Sequence, residues 1–139
     1  MKKWVVCMCA TMVALLVVVA IVYGCLFKVH PLNPNGDVVE VQYISYQDEN
    51  IELSDENKKQ IAEILSSASC KRQEGQMPSG GNAERLVEID GLIGDDSMHI
   101  VLGDYNYYYE SAGSYKWFEL EDGDEIKDKI LEIISNADQ

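Results

Sequence analysis

The chain has 139 residues, 24 acidic against 11 basic side chains, and a formal net charge of −13. This length allows one small domain with an appendage. Such an acidic field repels nucleic acid and anionic lipid headgroups, and it suits a soluble surface or a basic partner.

The apolar residues are concentrated at the N-terminus. Trp4 to Phe27 reads WVVCMCATMVALLVVVAIVYGCLF, with no charge inside it. As a helix it would be roughly 36 Å long, enough to cross a hydrocarbon core of about 30 Å with some tilt. It has no polar stripe, unlike the core helix of a soluble protein. Residues 1–28 are therefore expected to be a membrane anchor or signal segment. Lys2 and Lys3 precede the run, so the N-terminus is expected in the cytoplasm and the rest outside.

Val22-Tyr23-Gly24-Cys25 is similar to a bacterial lipoprotein signal, in which the Cys25 thiol would be lipidated and become the new N-terminus. The run is long enough to remain in the bilayer, which favours an uncleaved helix and leaves the lipid anchor as the alternative. Cys7 and Cys9 share this segment. Cys70, beyond it, reads as a small buried hydrophobe without a bridge.

Residues 29–36 (VHPLNPNG) read as an extended tether, and residues 37–139 as the exported domain. Alternation over Asp37–Tyr46 predicts a strand, followed by a turn at Gln47–Asn50 and a short return strand at Ile51–Leu53. Ser54 has the position of a helix N-cap, with Asp55 and Glu56 in the first turn. Ile61, Ile64, Leu65 and Ala68 form the apolar stripe of that helix. A strand over Cys70–Glu74, a loop over Gly75–Asn82, and two strands over Glu84–Asp90 and Ser97–Gly103 follow. The last strand pair lies in NYYYESAGSYKWFEL, residues 106–120. Asp122 is expected to cap a final helix, with Glu125 in a capping-box arrangement and Ile126, Ile130, Ile133, Ile134 and Ala137 on its buried face.

In the aromatic pair, a three-residue loop at Ser111-Ala112-Gly113 would set Tyr109 against Tyr115 and Tyr107 against Trp117. These four share one face, while Tyr108, Glu110, Lys116, Phe118 and Leu120 share the other. Aromatic pairs suit strand cores, so the four-aromatic face is expected beneath the helices. On the opposite arrangement Tyr107, Tyr109, Tyr115 and Trp117 would form an exposed platform, a candidate binding surface.

Strands joined by short turns imply an α+β domain, an antiparallel sheet of about five or six strands with two helices packed on one face, preceded by a transmembrane helix. The apolar N-terminus, the segment IELSDENKKQIAEILSSA and the segment YNYYYESAGSYKWFEL together resemble an uncharacterised family of small membrane- or lipid-anchored extracytoplasmic proteins of Gram-positive bacteria. The first segment resembles the family's entry to its first helix. The second is similar to its aromatic strand pair, with an acid at Glu110. The resemblance implies architecture and location, since no activity is established for the family.

No catalytic or metal-binding constellation is expected. His30 is isolated in the tether, and His99 reads as an exposed strand residue without a second histidine nearby. Asp122-Gly123-Asp124-Glu125 lacks the alternating ligands of an EF-hand loop. Phosphate-cradling loops, nucleophile elbows and His-Glu-x-x-His are absent from the sequence, and no cofactor is implied. The expected function is a non-enzymatic module that binds a protein or a cell-wall glycan. The alternatives are an inhibitor or immunity-type protein acting through its acidic surface, and a structural accessory of a membrane complex.

Overall fold

The structure, a computed structural model, describes residues 2–26, 28–73, 84–109 and 117–137. Helix α1 (Lys2–Leu26) contains a stretch of 22 residues, Lys3–Gly24, long and apolar enough to cross a membrane and nowhere buried against the rest of the chain.

Phe27 and Lys28 alone separate α1 from strand β1 (Val29–Pro31). β1 pairs antiparallel with β4 (Ser69–Gln73), Val29 opposite Lys71 and Pro31 opposite Ser69. Part of the segment expected to be a tether thus belongs to the sheet. Leu32 follows it into the core at 5% exposure, its amide donating to the Ala68 carbonyl. Asn33, also buried, clamps the next turn: its Nδ2 donates to the Asp37 carbonyl and its Oδ1 accepts from the Asp37 amide. Two prolines and two asparagines suggested a loop, but an edge strand tolerates proline because one side of its backbone needs no ladder bond.

β2 (Val39–Tyr46) turns back into β3 (Glu49–Ile51) through Gln47 and Asp48, both left-handed, at φ of 51° and 65°. Two successive positive φ values match the right-handed twist of a hairpin. Helix α2 (Asp55–Ser66) starts where expected, the Ser54 hydroxyl accepting from the Asn57 amide at 3.2 Å. β5 (Arg85–Ile93) and β6 (Asp96–Gly103) form a hairpin whose turn begins at Gly94, φ 60°. β7 (Tyr107–Tyr109), β8 (Trp117–Leu120) and helix α3 (Gly123–Ala137) complete the chain. The expected Asp122 cap is replaced by a left-handed residue, φ 53°, whose carbonyl accepts from the Ile126 amide. A side-chain cap needs an extended backbone at that position.

The strands make one antiparallel sheet in the order β1-β4-β8-β7-β6-β5-β2-β3. Eight strands replace the expected five or six, and three-residue strands close both edges. Short edges offer little template for pairing with another chain. α2 carries the chain from the β3 edge across to β4, near the opposite edge.

One face of the sheet meets α2 and α3. Ile44, Ile89, Ile100, Leu102, Tyr108 and Leu120 pack there with Ile61, Leu65, Ile126, Ile130 and Ile134. Cys70 is in the same core at 4% exposure, as expected of a small hydrophobe. The register shifts by one residue in β2 between Val41 and Tyr43 and in β5 between Arg85 and Val87, and an extra residue of this kind bends its strand locally.

Candidate functional site

The other face carries the aromatic residues singled out in the sequence. Tyr108 packs in the core and Phe118 against it, so strand alternation turns Tyr107, Tyr109 and Trp117 away from the helices. The expectation that these rings lie beneath the helices is therefore overturned. The fourth ring of that set, Tyr115, and the loop Ser111-Ala112-Gly113 lie outside the described residues.

The pairing register also differs from the expected one. Tyr107 stands opposite Glu119 and Tyr108 opposite Phe118, two residues further along than a three-residue loop would give. A shift of two preserves which residues share a face and changes only their partners.

The rings form a connected row. Tyr107 stacks on Tyr109 with centroids 6.3 Å apart, and its edge meets Trp117 at the same distance. Tyr109 in turn lies 4.5 Å from the His99 ring. This is not a fully open platform: Tyr107 is only 2% exposed, while Tyr109 and Trp117 are half-buried. Burial raises the phenols of Tyr107 and Tyr109 above their ordinary value of 10.0, the Arg85 charge partly opposing this.

His99 is not the exposed strand residue expected. Its β5 partner is Asp90, whose carboxylate hydrogen-bonds Nδ1, and Glu88 Oε2 lies 3.6 Å from Nε2. Arg85 Nη1 bonds the same Glu88 at 3.3 Å. Carboxylates two apart on β5 bracket the histidine because residues i and i+2 of a strand share a face. Among the described residues no group of three or more His, Cys, Asp or Glu is placed to hold a metal ion.

A cleft of about 480 Å³ opens beside the aromatic row. Tyr105, Tyr107 and Trp117 supply its ring surfaces, and Asp104, Glu119 and Asp124 its carboxylates. Gln73 and Asn106 add amides, and both are held in place. Gln73 Nε2 donates to Glu119 at 2.6 Å, and Asn106 Nδ2 to Asp124 at 3.0 Å. Asn106 also rests on Gly123, where a Cβ would come within 2.5 Å of the asparagine Cβ. Lys127 donates to Asp124 and to the Gly103 carbonyl, fastening α3 to the end of β6. The bonds from Lys127 and Asn106 hold the Asp124 carboxyl below its ordinary value.

Tyr107 and Trp117 were legible in the sequence as aromatics on a common face. Tyr105, Asp104, Glu119 and Asp124 were not, because they come from three separate segments brought together by the β6–β7 corner, β8 and the start of α3. Their only sequence signal was the acid-rich flanking of the aromatic run.

Comparison with protein-family models, with curated proteins and with solved structures gives no match.

Proposed function

We propose that the protein is a membrane-tethered, extracytoplasmic, non-enzymatic binding module that holds a protein or cell-wall glycan partner in the cleft beside Tyr105, Tyr107 and Trp117. In this reading α1 is the anchor, the N-terminus is cytoplasmic, and everything beyond Lys28 is outside; lipidation at Cys25 is the alternative anchor. One observation carries the reading: rings, carboxylates and positioned amides line one cleft between the aromatic row and the start of α3. Such a surface suits a flat, hydroxyl-rich or polar ligand, which stacks on the rings and hydrogen-bonds at their rim.

The test is photo-crosslinking in intact cells from position 105, with position 63 on the exposed side of α2 as control. A partner captured from 105 and absent from 63 supports the cleft. Equal capture from both positions would refute it. Tyr105 is 56% exposed, so Tyr105→Ala should abolish capture from a crosslinker at the neighbouring exposed cleft position 104 without lowering the melting temperature. For orientation, protease added to spheroplasts should digest the domain, whereas protection until lysis would reverse the topology.

The inhibitor reading is favoured by a different observation, the acidic residues Asp104, Glu121, Asp122 and Asp124 gathered where β6 and β8 end. Binding to a basic partner there would weaken steeply with salt, and stacking on the cleft would not.

A further inference from the structure

We infer that the end of the sheet nearest α1 docks on the phosphate headgroups of an anionic bilayer through Lys28, Lys71 and Arg72, with the Trp117 indole beside them. This rests on α1 being a membrane anchor; Trp117, which also lines the cleft, stands at the anchor-side end of β8.

The connection between helix and sheet is short. Three Cα steps lead from Leu26 to Val29, at most about 11 Å, and a headgroup layer is roughly 5–8 Å deep on each side of the hydrocarbon. β1 therefore begins at the bilayer surface. Its register then determines which residues lie beside that point. Val29 faces Lys71, so the rest of β4 continues past the start of β1 toward the anchor, with Arg72 opposite Phe118 and Gln73 opposite Trp117 on β8.

This corner differs in charge from the molecule as a whole. Lys28, Lys71 and Arg72 lie at this end of the sheet, Lys71 and Arg72 on opposite faces of β4, in a chain with 11 basic and 24 acidic side chains. Glu119, opposite Lys71 and also accepting from Gln73, offsets one of these three positive charges and leaves the described residues at this end net positive. The other end of the same strands carries Glu121 and Asp122 beyond Leu120 and Asp104 beyond β6, while Asp124 and Glu125 at the start of α3 pair with Lys127 and Lys129. The charge thus reverses along the strand axis. The Asp95–Asp96 hairpin end points the same way along β5 and β6, but β6 is the fourth strand from β1. At the usual twist of about 20–25° per strand, β6 would be turned by roughly 80–100° relative to β1, which would take those carboxylates out of the β1 strand direction.

Basic side chains beside a membrane helix attract anionic lipid, and an indole, apolar with one polar edge, favours the interface. The acidic end is repelled by the same surface. Both forces turn the domain the same way, basic end down, with Asp104, Tyr105 and Asp124 directed outward.

The test uses full-length Trp4→Phe protein, in which Trp117 is the remaining tryptophan, reconstituted in two kinds of vesicle: phosphatidylcholine with phosphatidylglycerol, and phosphatidylcholine alone. Flotation reports anchoring, a headgroup-attached nitroxide lipid reports contact, and acrylamide reports exposure to water. Strong nitroxide quenching on the anionic vesicles is expected. Lys71→Gln with Arg72→Gln should lower the ratio of docked to undocked protein roughly 30-fold, taking about fivefold per basic residue, and should leave the melting temperature unchanged. Lys28→Gln, outside the sheet, should act in the same direction with no route through folding. Protein that floats but whose Trp117 quenching is the same on both vesicles, or unaltered by these variants, overturns the docking and leaves the anchor standing. Protein that fails to float overturns the anchor, and the docking with it.

Discussion

Tyr107 stands directly opposite Glu119 across β7 and β8, on the face of the sheet that no described helix covers. Trp117 is thereby two residues further toward the start of β8, opposite Gln73 rather than Tyr107. The register shapes the cleft, since it puts a carboxylate directly opposite the buried phenol.

The two faces should respond differently to truncation. Tyr108→Ala empties a site in the core and should cost about 3–5 kcal/mol. Trp117→Ala removes a half-buried ring from the other face and should cost clearly less. Denaturant titration of both full-length variants in the same detergent is the measurement, and an equal loss would mean that Trp117 is a core residue.

The first strand is expected to be needed for stability. Leu32→Ala should destabilise the domain by about 2–5 kcal/mol, as for a buried leucine. If residues 29–36 were only a tether, this substitution would leave the unfolding midpoint unchanged. Circular dichroism melting separates the two results.

Gly91 is opposite Val41 at the edge of the β2 bulge, and a Cβ there would fall 2.0 Å from the Glu40 carbonyl oxygen. The obstacle is backbone, so the strands themselves must shift. Gly91→Ala should cost about 1–3 kcal/mol or more, measured by the shift in the denaturant midpoint.

The phenols make stability sensitive to alkali. Burial raises Tyr107 and Tyr109, so folding favours their neutral forms. Their contribution is complete below the unfolded value, near 10, and is lost as the pH rises through the folded values. Tyrosinate absorbance should therefore show late-titrating phenols in the folded protein, one fewer in Tyr107→Phe. Titration of every phenol at the unfolded value would contradict the burial of this row.

Several features were determined by the amino-acid sequence alone, because each depends on neighbours along the chain. The apolar run made α1 long enough to cross a membrane, Ser54 started α2, and period-two alternation separated Tyr107, Tyr109 and Trp117 from Tyr108, Phe118 and Leu120. Tertiary structure decided the rest. Alternation is unchanged by a register shift of two, so it could not choose between Trp117 and Glu119 as the partner of Tyr107. Nor could it say which face the helices would cover, since both faces of β7 and β8 carry aromatics and either could be buried. That choice came from Ile61, Leu65, Ile126 and Ile130, which needed an apolar surface extending across β2, β5 and β6 as well. Only the face shared by Ile44, Ile89, Ile100 and Tyr108 provides one. The same packing drew Leu32 inward and made an edge strand of a proline-rich segment, because a buried leucine and a shared ladder outweigh the weak local preference of Pro31 for a loop.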